Sequence, residues 1–90
     1  MNVGQRDTLL AILESPKFRL AGRYESAPDV LHYAPWPGEY DADAFKVRIV
    51  LPIAEWTVRD TLAVHQVASD VGVNVRIAGL PPDKLMVIWR

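Results

Sequence analysis

Apolar and polar residues alternate over Phe18-Arg19-Leu20, Phe45-Lys46-Val47-Arg48-Ile49 and Val73-Asn74-Val75-Arg76-Ile77, the two-residue period of strands buried on one side only. A 3.6-residue period governs two other stretches. Leu9, Leu10, Ile12 and Leu13 make one helical face, and Ser15-Pro16 ends it because a residue before proline avoids the α region. A first helix is therefore expected over about residues 4 to 14. Val64, Val67, Ala68 and Val71 make the inner face of a second helix over about residues 53 to 71, with Glu55, Arg59, Gln66, Ser69 and Asp70 outward and Gly72 as its stop. Two starts compete for it: Pro52 at the first helical position, or Thr57 with Asp60 three residues on, a capping box with Asp in place of Glu or Gln.

The remaining segments are expected as strands and turns. Lys17 to Tyr24 extends the first alternation, with Phe18, Leu20 and Tyr24 on one face and Gly22 marking a bulge or a close backbone approach. Ala27-Pro28-Asp29 is a turn before a short second strand, Val30 to Ala34. Pro35 to Asp43 is a loop, since two prolines and a glycine in four residues do not continue a ladder. Ala44 to Leu51 is a third strand that Pro52 ends, Val73 to Ala78 a fourth, and Leu85 to Trp89 a fifth after the turn at residues 79 to 83. The order αβββαββ predicts an α+β two-layer sandwich, a mostly antiparallel five-stranded sheet with two helices on one face. The passage through the second helix leaves open a right-handed parallel crossover. At 90 residues the chain is expected to be a single domain, 1–90, because a split would leave two pieces too small to hold a core.

Charge adds a second pattern. Every charge at the outward positions of the three alternating stretches is basic, and all eleven acids lie elsewhere. If helices cover the apolar side of one sheet, Lys17, Arg19, Arg23, Lys46, Arg48 and Arg76 share the opposite face, a cationic surface on a protein of net charge -1. Such a face suits an anionic or acidic partner, although basic residues on strands also serve simply to oppose edge pairing. A single-stranded nucleic acid would need aromatic platforms for its bases. The outward positions offer mainly Ala21, Val50, Asn74 and Ala78, with Tyr33 the one aromatic that joins them if Val30, His32 and Ala34 face inward.

Catalytic chemistry finds little to work with. There is no cysteine, hence no disulfide, thiolate metal site or thiol nucleophile. His32 and His65 are isolated, and the nearness of Ser26 and Asp29 to His32 in sequence does not make a triad. Glu39, Asp41 and Asp43 alternate on the aromatic loop but fit no recognised calcium loop. No phosphate, dinucleotide, zinc or acyl-transfer signature occurs. The expectation is a non-enzymatic protein with no catalytic residue, no metal and no cofactor. The first apolar run, Leu9 to Leu13, is too short for a signal peptide, and no stretch approaches the ~20 apolar residues of a membrane span, so a cytoplasmic location is expected. Arg outnumbers Lys by seven to three and Ala, Val and Pro are plentiful, a composition that suits a G+C-rich bacterial or phage gene.

These features together lead to a small protein-binding module, accessory or inhibitory, that docks onto the acidic surface of another protein. A nucleic-acid-binding module using the basic sheet face is the second reading. A self-associating subunit, a homodimer through Leu62 or an edge strand Leu85 to Trp89, is the third. Leu62 stands out because it falls between Glu55, Gln66 and Ser69 on the polar side of its helix. Trp36 and Tyr40, held among prolines, are candidate rigid anchors for a partner. If they are anchors, Trp36→Ala with Tyr40→Ala weakens partner binding by about 2 kcal/mol or more and leaves stability nearly unchanged. If they are lids on the core, the cost falls on stability instead, at about 3 to 5 kcal/mol for a buried aromatic. Melting temperature and pull-down recovery of the double variant separate the two.

Overall fold

Local capping chemistry sets where the helices begin and end. The computed structural model describes residues 1–20, 28–32 and 45–90. Within them the elements are α1 (Val3–Glu14), β1 (Asp29–His32), β2 (Phe45–Pro52), a 3-10 turn (Ile53–Glu55), α2 (Val58–Val71), β3 (Val75–Leu80) and β4 (Lys84–Trp89). The Asn2 side chain accepts from the Gln5 backbone N–H at 2.8 Å, and the Gln5 side chain accepts from the Asn2 N–H at 3.0 Å, a capping box that opens α1. At α2 the second of the two possible starts is used. The Asp60 carboxylate accepts from the Thr57 N–H at 2.9 Å and from its hydroxyl at 3.1 Å, while that hydroxyl accepts from the Asp60 N–H at 3.3 Å. Pro52 and Ile53–Glu55 form a separate tight turn instead. Asp60 is 2% exposed; at this end of a helix a carboxylate meets unpaired N–H groups and the positive pole of the dipole. Gly72 closes α2 with φ at +81°, a left-handed conformation that glycine takes without a Cβ clash.

Among the described residues the sheet has four strands in the order β1-β2-β4-β3, with every pairing antiparallel. This corrects the expectation of five strands. Lys17 to Leu20 are not in a strand: after α1 the chain turns tightly, with the Phe18 N–H bonded to the Ser15 carbonyl at 3.1 Å, and Phe18 and Leu20 pack on the core from outside the sheet. Phe18-Arg19-Leu20 alternates because two apolar side chains flank an exposed arginine, a pattern too short to specify a ladder. The rest of that expected strand, from residue 21, lies outside the described residues. Leu85 to Trp89 is not an edge either. β4 lies between β2 and β3, so those two strands run parallel to one another without touching, and α2 crosses between them.

Register fixes the two faces. Towards the helices point the rows Val30–Val47–Trp89–Val75, Ile49–Val87–Ile77 and Leu51–Leu85–Gly79. Val47, Ile49, Leu51, Leu85, Val87 and Trp89 are buried there with Leu9 and Leu13 of α1 and Val64, Val67 and Ala68 of α2. Trp89 is fully buried, and its indole N–H donates to the Val64 carbonyl at 3.2 Å. Met1 is also drawn in, exchanging main-chain hydrogen bonds with Phe45 at 3.0 and 3.3 Å. No helix among the described residues is long and apolar enough to cross a membrane. Trp89→Ala is expected to cost about 3 to 5 kcal/mol, a large part of the roughly 5 to 13 kcal/mol typical of a chain this size. Urea unfolding of the variant beside the parent measures it.

Candidate cationic sheet face

On the face turned away from the helices, strand alternation brings together the even-numbered residues of β2, β3 and β4 with Asp29 and Leu31 of β1. The register sets them in rows across the sheet: Leu31–Lys46, then Asp29–Arg48–Ile88–Arg76, then Val50–Met86–Ala78, then Pro52–Lys84–Leu80. Four cations thus surround a middle of Val50, Ala78, Met86 and Ile88. Three of the cations, Lys46, Arg48 and Arg76, are sequence-predicted site residues.

The other candidates divide. Lys17 lies in the helix layer, lining a groove of about 370 Å³ with Ile12, Phe18, Ala63, Gln66 and Asp70, because residues 15 to 20 turn beside α1 instead of entering the sheet. Arg19 is exposed and outside the sheet. Leu62 is 66% exposed on α2, in the helix layer and so across the sheet from the cations. Arg23, Trp36 and Tyr40 lie outside the described residues, as do Tyr33 and the acids Glu39, Asp41 and Asp43.

Two charged residues of the face were not anticipated. Lys84 belongs to it because β4 starts one residue before Leu85, at the end of the proline turn. Asp29 belongs to it because β1 starts one residue before Val30, which makes an exception to the separation of acids from strands. Its carboxylate accepts from the Arg48 guanidinium at 2.9 Å, the ion pair being 47% and 36% exposed. The Nε of Arg48 is buried with no hydrogen-bond partner among the described residues. A guanidinium offers five N–H donors in a planar fork, so Arg48 keeps capacity for a further acceptor.

Among the described residues no three His, Asp or Glu side chains gather as metal ligands. His65 is exposed on α2. No known protein family, curated protein or solved structure matches the chain.

At its exposure, the Asp29–Arg48 pair is worth about 0 to 1 kcal/mol. Asp29→Asn should therefore change stability by less than about 1 kcal/mol, with the difference shrinking as salt rises. Urea melts at low and high ionic strength check this.

Proposed function

We propose that the protein is a non-enzymatic binding module that docks the acidic surface of another protein against the outer face of its sheet, as an accessory or inhibitory factor. The observation that carries this reading is the interleaving of Lys46, Arg48, Lys84 and Arg76 with Val50, Met86, Ile88 and Ala78 on one surface. Protein interfaces commonly combine an apolar centre, where most of the binding energy arises, with charges that steer and orient the partner.

Nucleic acid is the less favoured anion. Among the described residues no aromatic side chain stands on this face, and stacking on aromatics gives single-strand binders much of their affinity. The aliphatic centre has no comparable role against a phosphate backbone.

Two variants dissect the surface: Arg48→Glu with Arg76→Glu reverses charge, and Met86→Ala with Ile88→Ala removes the apolar centre. Both should fold, since all four side chains point away from the core. In capture experiments with proteins of the native host, each pair of substitutions is expected to reduce recovery of the same partner by about tenfold or more, the equivalent of 1.4 kcal/mol. A fluorescent oligouridine serves as the competing probe. Tight binding of that probe, with log affinity falling against log salt at a slope near -3, would transfer the face to nucleic acid; that is the slope expected of about four phosphate contacts on a single strand.

A further inference from the structure

The hydrogen-bond phase of the sheet exposes a second surface, independent of the outer face. Asn74 and Arg90 exchange two main-chain bonds of 2.9 Å just beyond the paired ends of β3 and β4. In an antiparallel ladder such doubly bonded pairs recur at every second position, so Arg76, Ala78 and Leu80 turn their N–H and C=O groups towards β4. Val75, Ile77 and Gly79 turn theirs outward. Among the described residues none of these outward groups has a partner.

The two edges of the sheet are unlike. β1 is short, follows Pro28 and begins with Asp29, features that discourage strand pairing. β3 has six residues, with no proline and no lysine among them, and its outward positions are Val75, Ile77 and Gly79. The side of α2 carrying Ala63, Gln66, Val67 and Asp70 faces α1 across the groove; Val58, 78% exposed, lies towards the other side, while Leu62, one turn before Gln66, points away from the sheet. Since α1 contacts β2 and α2 contacts β3, the Val58 side lies towards the β3 edge.

We propose that the β3 edge is a self-association surface, on which a second copy of the chain pairs its own β3 antiparallel about a two-fold axis at Ile77. This joins two four-stranded sheets into one of eight strands. Outward-facing groups must meet outward-facing groups, which restricts the register to Ile77 opposite Ile77, or to shifts that centre on Arg76 or Ala78. Centring on Arg76 sets two guanidinium groups against each other across the closest kind of strand pair, and is disfavoured. Centring on Ile77 engages all three outward residues, where centring on Ala78 leaves Val75 without a partner in β3, and it sets Arg76 opposite Ala78 of the partner subunit. The same axis brings the two α2 helices side by side with Val58 near the line between them. A second copy fits this edge because it presents the same array of groups in the same phase. The guarded β1 edge then stops growth at the dimer, since an isologous contact consumes the surface it uses.

Sedimentation and amide exchange test this together. The parent chain should sediment at twice its 10.1 kDa mass. The amides of Val75, Ile77 and Gly79 should exchange at least about 100-fold more slowly than exposed amides, as those of Arg76, Ala78 and Leu80 do in any case. Gly79→Pro removes an outward N–H that β4 does not use, and a Cβ there meets no atom within 4 Å, so the variant should fold and sediment as a monomer. Val58→Glu, away from the backbone edge, should weaken the dimer by about tenfold. If Gly79→Pro does not fold, the parent's exchange pattern decides alone. A monomeric parent overturns the proposal, as does a dimer whose three outward amides exchange freely, or a folded Gly79→Pro that remains dimeric. Protection of those amides only when another protein is added would assign the edge to a foreign strand, and equally overturns it.

Discussion

The indole of Trp89 is buried on β4, between Val47 of β2 and Val75 of β3, with its N–H on the Val64 carbonyl of α2. That one side chain touches the three elements that define the fold's central unit. Its ring fills the space between sheet and helix, and its single polar atom must find an acceptor once buried. A helical carbonyl supplies one. The bond is directional, so it helps set the rotation and height of α2 over the sheet, which apolar packing alone would specify less sharply. Gln5 adds a weaker tie at the other end, donating to the Gly72 carbonyl at 3.2 Å between the start of α1 and the end of α2.

With α2 placed, the surfaces follow. Inward rows of Val, Ile, Leu and Trp are taken up by the two helices, and a period of two then obliges Lys46, Arg48, Arg76 and Lys84 to the outer face. A one-residue slip of β4 would bury Lys84 and Met86 and expose Trp89, so the core protects the register and the register arranges the cations. The same consideration determines which groups of β3 are free. With Arg76, Ala78 and Leu80 bonded to β4, the outward array falls on Val75, Ile77 and Gly79 and on no other residues of the strand.

Much of this was legible in the residues because the signals were local. Thr57 with Asp60, Gly72, and the long alternation from Phe45 each carry a mechanism that works within a few residues. The failures came where the deciding contact is distant. Lys17 to Leu20 satisfies strand periodicity over too few positions, and its fate was settled by a place for Phe18 on the core, which alternation does not encode. Strand order was hidden for a similar reason. Nothing in Leu85 to Trp89 itself says that it inserts between β2 and β3, although a run buried on one side and ending in tryptophan fits a central strand better than an edge. Asp29 was misjudged by one residue at a strand end, where the ladder and not the side chain decides the boundary.

The cations of the outer face and the free edge of β3 make different demands on a partner. The outer face is a broad patch whose affinity would come from apolar contact at Val50, Met86 and Ile88 and whose encounter rate would come from charge. The edge is a row of main-chain groups that accepts only another strand in matching phase. Because the side chains of β3 alternate between the helix layer and the outer face, pairing at the edge leaves Arg76 in its place on the outer face. A two-fold at Ile77 would therefore double the cationic surface without covering it, presenting two docking faces on one continuous sheet. An acidic partner wide enough to reach both would be held by two contacts at once, so modest affinity at each face could still give durable attachment.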